Sequence, residues 1–499
     1  MARLDESQIN LGSLKLRLEN FRAFSDSGLF RVAPLTCLVG ANSSGKSSII
    51  SALLVLKQSL SQKAVSGRVS PLALNGPFCE LGRFSDVVHG HHATNHISIS
   101  FGFAFSDLGD FRDRRRSIVD IPIPRATDDY RSRYYFSYYG RETVSLPKRG
   151  DVIIRLGFTD DEPFGPSLNA VDITVSDMGS LHCVRTISGS RQQHWRVYVD
   201  GLPPRSISQR FNPYSFFPIF RRSESASRIK TDSEKTKVTK FLGAVEMAFL
   251  KLTRIISDSD VIGPFRTPPE RRYQFGGFSA TSGGPTGEQA VDLLITEQLL
   301  KIPGHPLRTE LSYWLKHLGL ARKVSVRDLA RKINLFELSL RGVGSVSRSN
   351  VADVGFGVSQ VLPVLLQGLL IRPGGFYMVQ QPEIHLHPDA QAALADYFLF
   401  LSHCGVRVIV ETHSEYFLLR LRRRLAEGRL VRRDPTAKKA KLGIDDICVL
   451  LTTPTKHEGT SVRELSIGDS FQFENLPDGF MNRSVEDRMA LLNAVAKSR

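Results

Sequence analysis

The chain has 499 residues, 41% of them hydrophobic and 23% charged, enough for about two to four domains around a substantial core. An excess of 66 Lys+Arg over 50 Asp+Glu gives a formal charge of +16, which favours polyanionic partners and leaves nucleic-acid contact open. Five scattered cysteines without CxxC spacing argue against a disulfide framework or a zinc site, and no apolar run approaches the ~18 residues of a membrane span.

The opening "MARLDESQINLG" lacks an apolar h-region, so no signal peptide is expected and the cytoplasm is the default setting. "SLKLRLENFRAF" alternates as a strand through Leu14, Leu16, Leu18 and Phe21. "VAPLTCLVG" is a second strand, and "KSSIISALLVLKQSL" has helical spacing. "HISISFGFAF" is a further strand. From about 106 to 240, short alternating runs ("DVIIRLGF", "VDITVSD", "LHCVRTI", "HWRVYVDG") between charged loops predict an antiparallel β insertion. It ends in "RRSESASRIKTDSEKTK", read as a mobile polar linker.

"VTKFLGAVEMAFLKLTRII" is a long helix, followed by a Pro- and Gly-rich loop, the helix "ELSYWLKHLGL" and the strand "KINLFELSLRG". "GVSQVLPVLLQGLLI" is an apolar helix, "GGFYMVQQPE" a buried strand, and "DAQAALADYFLFLSHC" a helix. "GVRVIVETHS" and "EYFLLRLRRRLAEG" close the series as strand and helix. The fold class is α/β: residues 1–105 and 351–499 form one nucleotide-binding head, split by the β-rich segment 106–240 and a helical and loop segment 241–350.

The chemistry begins with "GANSSGKS", Gly40 to Ser47, which fits GxxxxGK[ST] between a strand and a helix. Gly40 and Gly45 let the amides of Asn42, Ser43, Ser44 and the following residues through Ser48 turn inward around phosphates at a helix N-terminus. Lys46 would reach the β/γ-phosphates of ATP and Ser47 would ligate Mg²⁺. His385 and His387, two apart with a leucine between, resemble a zinc pair only superficially. Seven arginines between Arg420 and Arg433 make either a solvated basic face or a surface for phosphate backbone or an acidic partner.

The order "LRLENFRAF", P-loop, "VGFGVSQVLP", "QQPEIHLHP", "VIVETHSEYFLLRL" resembles ABC-type ATPase heads. In particular it resembles the bacterial branch of AAA-family ATPases related to the overcoming-lysogenization-defect proteins. The resemblance extends to "IGPFRTPPERRY" and "LSIGDSFQFENLPDGF", over about half to two-thirds of the chain. It implies ATP held between two protomers of a dimer or higher oligomer. Gly355, Gly357, Ser359 and Gln360 would be the signature facing the partner's nucleotide, although the segment departs from the LSGGQ of transporters. His413 would be a switch residue, flanked and oriented by Glu411 and Ser414. Arg266 and Arg271 fall in a family loop of unassigned role. His385 and His387 would belong to the turn beyond the strand.

By the same resemblance Gln380 stands where a Mg²⁺-associated carboxylate is usual, and Gln381 where the water-activating glutamate would be. Relatives commonly read Glu-Gln-Pro-Glu, so Gln380 is the departure. An amide is a poorer Mg²⁺ partner and no general base; Glu383 would substitute in part. Gln380 is then either an engineered trap of an active ATPase or the mark of a native slow or silent switch. The resemblance further implies an effector partner, a nuclease of bacterial antiphage defence, and no membrane. A DNA-repair or chromosome-associated head, and a scaffold with structural nucleotide, stand as alternatives.

Overall fold

In the computed structural model the placed residues are 14–61, 72–91, 96–104, 151–160, 165–187, 193–200, 205–207, 232–277, 282–431, 442–455, 459–474 and 490–491. Strand β1 (Leu14–Phe21) alternates buried and half-buried residues, as its sequence requires. It pairs antiparallel with the short β2 (Phe24–Asp26) and β3 (Phe30–Val32). β4 (Leu35–Gly40) is buried throughout and runs into the P-loop, after which α1 (Lys46–Ser61) begins. A single turn, α2 (Phe84–Val87), precedes β5 (Ile97–Ala104), which pairs with the other edge of β1.

The four alternating runs expected between 106 and 240 fall in β6 (Asp151–Thr159), β7 (Ser167–Val175), β8 (Gly179–Ile187) and β9 (Gln193–Val199), and a short β10 (Arg205–Ile207), not foreseen, follows. All neighbouring pairs are antiparallel. They extend the head's own sheet through β5–β6 pairing. Residues 105–150 and 208–231 of this segment, including most of the expected linker, lie outside the described residues. Its last residues do not: α3 (Asp232–Ser257) starts six residues before the apolar pattern does. Polar residues at a helix start are compatible with helix as well as linker, and composition does not separate the two.

After β11 (Asp260–Ile262) and β12 (Tyr273–Gln274) come α4 (Ala290–Leu299) and α5 (Pro306–His317). A small antiparallel sheet follows, built from β12, β13 (Lys323–Ala330), β14 (Leu335–Arg341) and β15 (Arg348–Asn350). The chain then re-enters the head as α6 (Phe356–Leu370), β16 (Phe376–Gln380), α7 (Pro388–His403), β17 (Arg407–Glu411), α8 (Glu415–Glu427), β18 (Ile447–Thr455) and β19 (Gly459–Glu464).

Five strands form the parallel centre, in the order β18-β4-β17-β16-β11. Their residues feed two apolar cores in alternation. Cys37, Val39, Tyr377, Val379, Val408 and Val410 enter the core beneath α4 to α8. Leu38, Phe376, Met378 and Ile409 enter the core shared with α1, α3 and the antiparallel strands. Burial on both faces explains why these strands read as continuous apolar runs. Each such side chain contributes roughly 1.5–3 kcal/mol by leaving water. No described helix is long and apolar enough to cross a membrane.

Candidate functional site

In an open α/β sheet ligands bind at the carboxyl ends of the parallel strands. Here the register sets Glu411 beside Leu38 on one flank and beside Gln380 on the other. The end of β17 therefore lies between the P-loop and the Gln380–Gln381 turn.

The P-loop backbone needs its glycines. Gly40 has φ 141° and Gly45 φ 87°, with Ser43 left-handed at 58°. A Cβ at Gly40 would stand 2.4 Å from the Thr452 carbonyl, and one at Gly45 2.9 Å from the Ala23 Cβ. Ser44 is buried, its hydroxyl 2.6 Å from that of Thr452, which ties β18 to the loop. Lys46 is 4% exposed and its Nζ donates to the carbonyls of Gly40 (3.0 Å) and Ala41 (2.6 Å). Burial pushes its pKa down against the pull of Glu411. A triphosphate in the loop would relieve that penalty, since phosphate oxygens are better partners for a buried ammonium than carbonyls.

Ser47 donates to both carboxylate oxygens of Glu411, at 3.2 and 3.0 Å. The Gln380 amide donates to Glu411 Oε2 at 3.0 Å. Gln381, at φ 45°, turns the chain and donates its N–H to the Glu411 carbonyl at 2.7 Å. Glu383 is 9% exposed; Oε1 accepts the His413 N–H at 2.7 Å, and Oε2 is buried without a partner.

The structure assigns some residues differently from the sequence reading. Glu411 and Ser414 were expected to orient His413. Glu411 instead faces Ser47 and Gln380, while Ser414 caps α8 through the Phe417 N–H and donates to Gln391. The His413 ring is exposed at the strand end. In the expected signature, Gly355 is the N-cap of α6, and Gly355 and Phe356 are exposed. Gly357 is required because a Cβ there would meet the His385 carbonyl at 2.6 Å. Ser359 and Gln360, by contrast, are buried, and the Ser359 hydroxyl bonds back to the Phe356 carbonyl at 2.9 Å. What α6 offers outward is its backbone N-terminus, not that hydroxyl.

Thr452 escaped the sequence reading altogether, and Glu411 and Arg266 were named there without these contacts. Arg266 is 6% exposed, and its guanidinium donates to the carbonyls of Gln380 (2.8 Å) and Gln381 (3.2 Å). Burial pushes its pKa down to about 10. Arg271 lies outside the site, paired with Asp353 on the surface. His385 and His387 are turn residues as expected: His385 has φ 62° and His387 caps α7. No group of three or more His, Cys, Asp or Glu able to hold a metal exists among the described residues.

The arginine run is largely occupied internally. Arg420 and Arg424 donate to Asp396, Arg422 to the Phe471 carbonyl, and Arg423 and Arg429 to Glu427. Arg432 and Arg433 lie outside the described residues. Arg420, Arg422 and Arg424 are thus held within the fold, while Arg423 and Arg429 remain exposed.

Residues 14–116 and 310–418 match the family described as an AAA ATPase domain. These segments carry the P-loop, the Gln380–Gln381 turn and His413. This is the fold of a P-loop ATPase head. Solved structures with a distant likeness are an SMC head bound to the C-terminal winged-helix domain of ScpA (14% identity, TM-score 0.42, 91% of this chain and 98% of that one). Others are an SMC head domain from Thermotoga maritima (12%, TM-score 0.33, 91% and 98%) and an SMC head with extended coiled coil bound to the C-terminal domain of ScpA, from Pyrococcus furiosus (13%, TM-score 0.38, 97% and 98%). No curated protein matches the chain.

Proposed function

We propose that the head binds ATP with Mg²⁺ in the P-loop, turns it over slowly, and uses occupancy to close two copies of the chain against each other. The observation that carries the nucleotide reading is the cradle itself. Two glycines at positive φ, a buried Lys46 bonded to loop carbonyls, and Ser47 beside a carboxylate are the groups that a phosphate and metal site would use. Hard oxygen donors suit Mg²⁺, and bound there it would neutralise charge on the β/γ-phosphate oxygens. Ser47 and its carboxylate partner would hold it.

Slow turnover follows from the groups around the reacting end. Gln380 and Gln381 are amides and take no proton at neutral pH. Glu383 is the nearest carboxylate in the turn, and one of its oxygens is held by the His413 N–H.

Closure of two copies is supported by what the strand-end face exposes. Phe356, at the start of α6, is 66% exposed and Phe265, next to Arg266, 87%. Large apolar side chains left in water beside a phosphate site suit a partner surface. The α6 N-terminus would then face the other copy's nucleotide. Light scattering with and without a non-hydrolysable ATP analogue tests this: the expected mass doubles on nucleotide addition, and a mass unmoved by saturating nucleotide would remove the dimer from the proposal.

The family resemblance in the sequence extends the reading to an effector, a nuclease in antiphage defence, regulated by this closure. Direct nucleic-acid binding is the second reading, favoured by the +16 charge. It is weakened by the internal pairing of Arg420, Arg422 and Arg424, while Arg423 and Arg429 stay exposed.

A further inference from the structure

We propose that the metal-holding carboxylate of this head is Glu411 at the end of β17, in place of a carboxylate at position 380. The inference rests on the nucleotide reading above and concerns how the metal is held within it.

Strand order is the first argument. β17 is the immediate neighbour of the P-loop strand β4, and β16 lies one strand further out. Adjacent strands are about 4.8 Å apart. A residue ending β17 thus starts one strand spacing from the loop, and one ending β16 starts two. Side-chain contact gives the second argument. The Ser47 hydroxyl, the ligand that a GKS loop gives to Mg²⁺, already touches both oxygens of Glu411. Gln380 reaches Ser47 only through Glu411, as the donor that fixes one carboxylate oxygen.

Charge is the third argument. Glu411 is 6% exposed, and its side-chain hydrogen bonds come from two neutral donors, a hydroxyl and an amide. The Lys46 ammonium acts on it from beyond ion-pair distance and is itself bonded to the Gly40 and Ala41 carbonyls. A buried carboxylate so supplied has charge to spare for a cation. The amide at 380 suits this arrangement. A glutamate there would set two carboxylates against each other at hydrogen-bond distance, which without a cation between them is unfavourable. Gln380 therefore acts as a positioning residue for Glu411.

The test reads metal affinity, not turnover. The full chain, Glu411→Gln and Gln380→Glu are titrated with a fluorescent ATP in EDTA. They are then titrated with Mn²⁺ by electron paramagnetic resonance in the presence of a non-hydrolysable ATP analogue. Glu411→Gln is expected to bind metal-free nucleotide at least as well as the parent, because a negative charge facing the triphosphate is gone. That result also reports an intact fold. Its Mn²⁺ affinity is expected to fall by about 10-fold or more. Gln380→Glu, with a second carboxylate at the site, is expected to bind Mn²⁺ more tightly than the parent. Mn²⁺ binding by Glu411→Gln equal to the parent's, alongside normal metal-free nucleotide binding, would overturn the assignment and leave the nucleotide reading standing. A parent chain that binds nucleotide under neither condition would overturn the nucleotide reading first.

Discussion

Replacing Lys46 with alanine is expected to remove tight ATP binding. A hydrogen bond to a charged group contributes about 1.5–3 kcal/mol, and Lys46 would make more than one to the phosphates, so affinity should fall roughly 100-fold or more. The loss should not come from unfolding. The ammonium bonds only to the Gly40 and Ala41 carbonyls, and the loop conformation is held separately by Gly40, Gly45 and the Ser44–Thr452 contact. Fluorescent-nucleotide titration, with circular dichroism as the control for folding, measures it. Retained tight binding by a folded variant would mean the phosphates sit elsewhere.

The second large effect is on stability, at Asp396. Its side chain is fully buried on α7 and accepts from Arg420 and Arg424 on α8 and from His317 on α5, tying three helices over one core. Burial alone would raise its pKa, but the hydrogen bonds from His317 and Arg424 and the two arginine charges hold it below the usual carboxylate range. Asp396→Ala removes the shared anion and leaves the Arg424 guanidinium, 10% exposed, without it. Breaking a buried pair in this way costs about 3–5 kcal/mol. The low end is expected, because Arg420 and His317 are about a fifth exposed and can turn to water.

The pH dependence has a definite sign. A carboxylate whose folded pKa is depressed contributes stability that is present above its unfolded pKa of about 3.9 and is lost as pH falls through the folded value. The parent should therefore lose stability below about pH 4 more steeply than Asp396→Ala does. Denaturant or thermal melts of both proteins across that range measure this, and parallel acid limbs would show that Asp396 is not the group responsible.

How much of this was legible in the sequence depends on how local each feature is. The P-loop was, because its geometry is set by eight consecutive residues between a strand and a helix. Three of the five parallel strands, β4, β16 and β17, were too, since burial on both faces leaves a continuous apolar run, as in "FYMV" and "RVIVE"; β11 and β18 were not read. The role of Glu411 was not. It stands two residues from His413, and only the placement of β17 between β4 and β16 turns it toward Ser47, 364 residues away in the chain. Arg266 likewise meets Gln380 and Gln381 across more than a hundred residues.

The arginine run left two readings open. Its composition does not show that the acidic residue that absorbs Arg420 and Arg424 lies on the preceding helix, where it reads as an ordinary polar position in "DAQAALADYF". Alternation in residues 151–201 correctly gave antiparallel strands. Alternation shows that one face is buried, but it does not say which sheet the strands join.

The most direct measurement is a calorimetric titration of the unmodified chain with a non-hydrolysable ATP analogue in the presence of Mg²⁺. The account predicts saturable binding of one nucleotide per chain, weakened when the metal is chelated. An absence of saturable binding by the folded chain, with or without Mg²⁺, would contradict it.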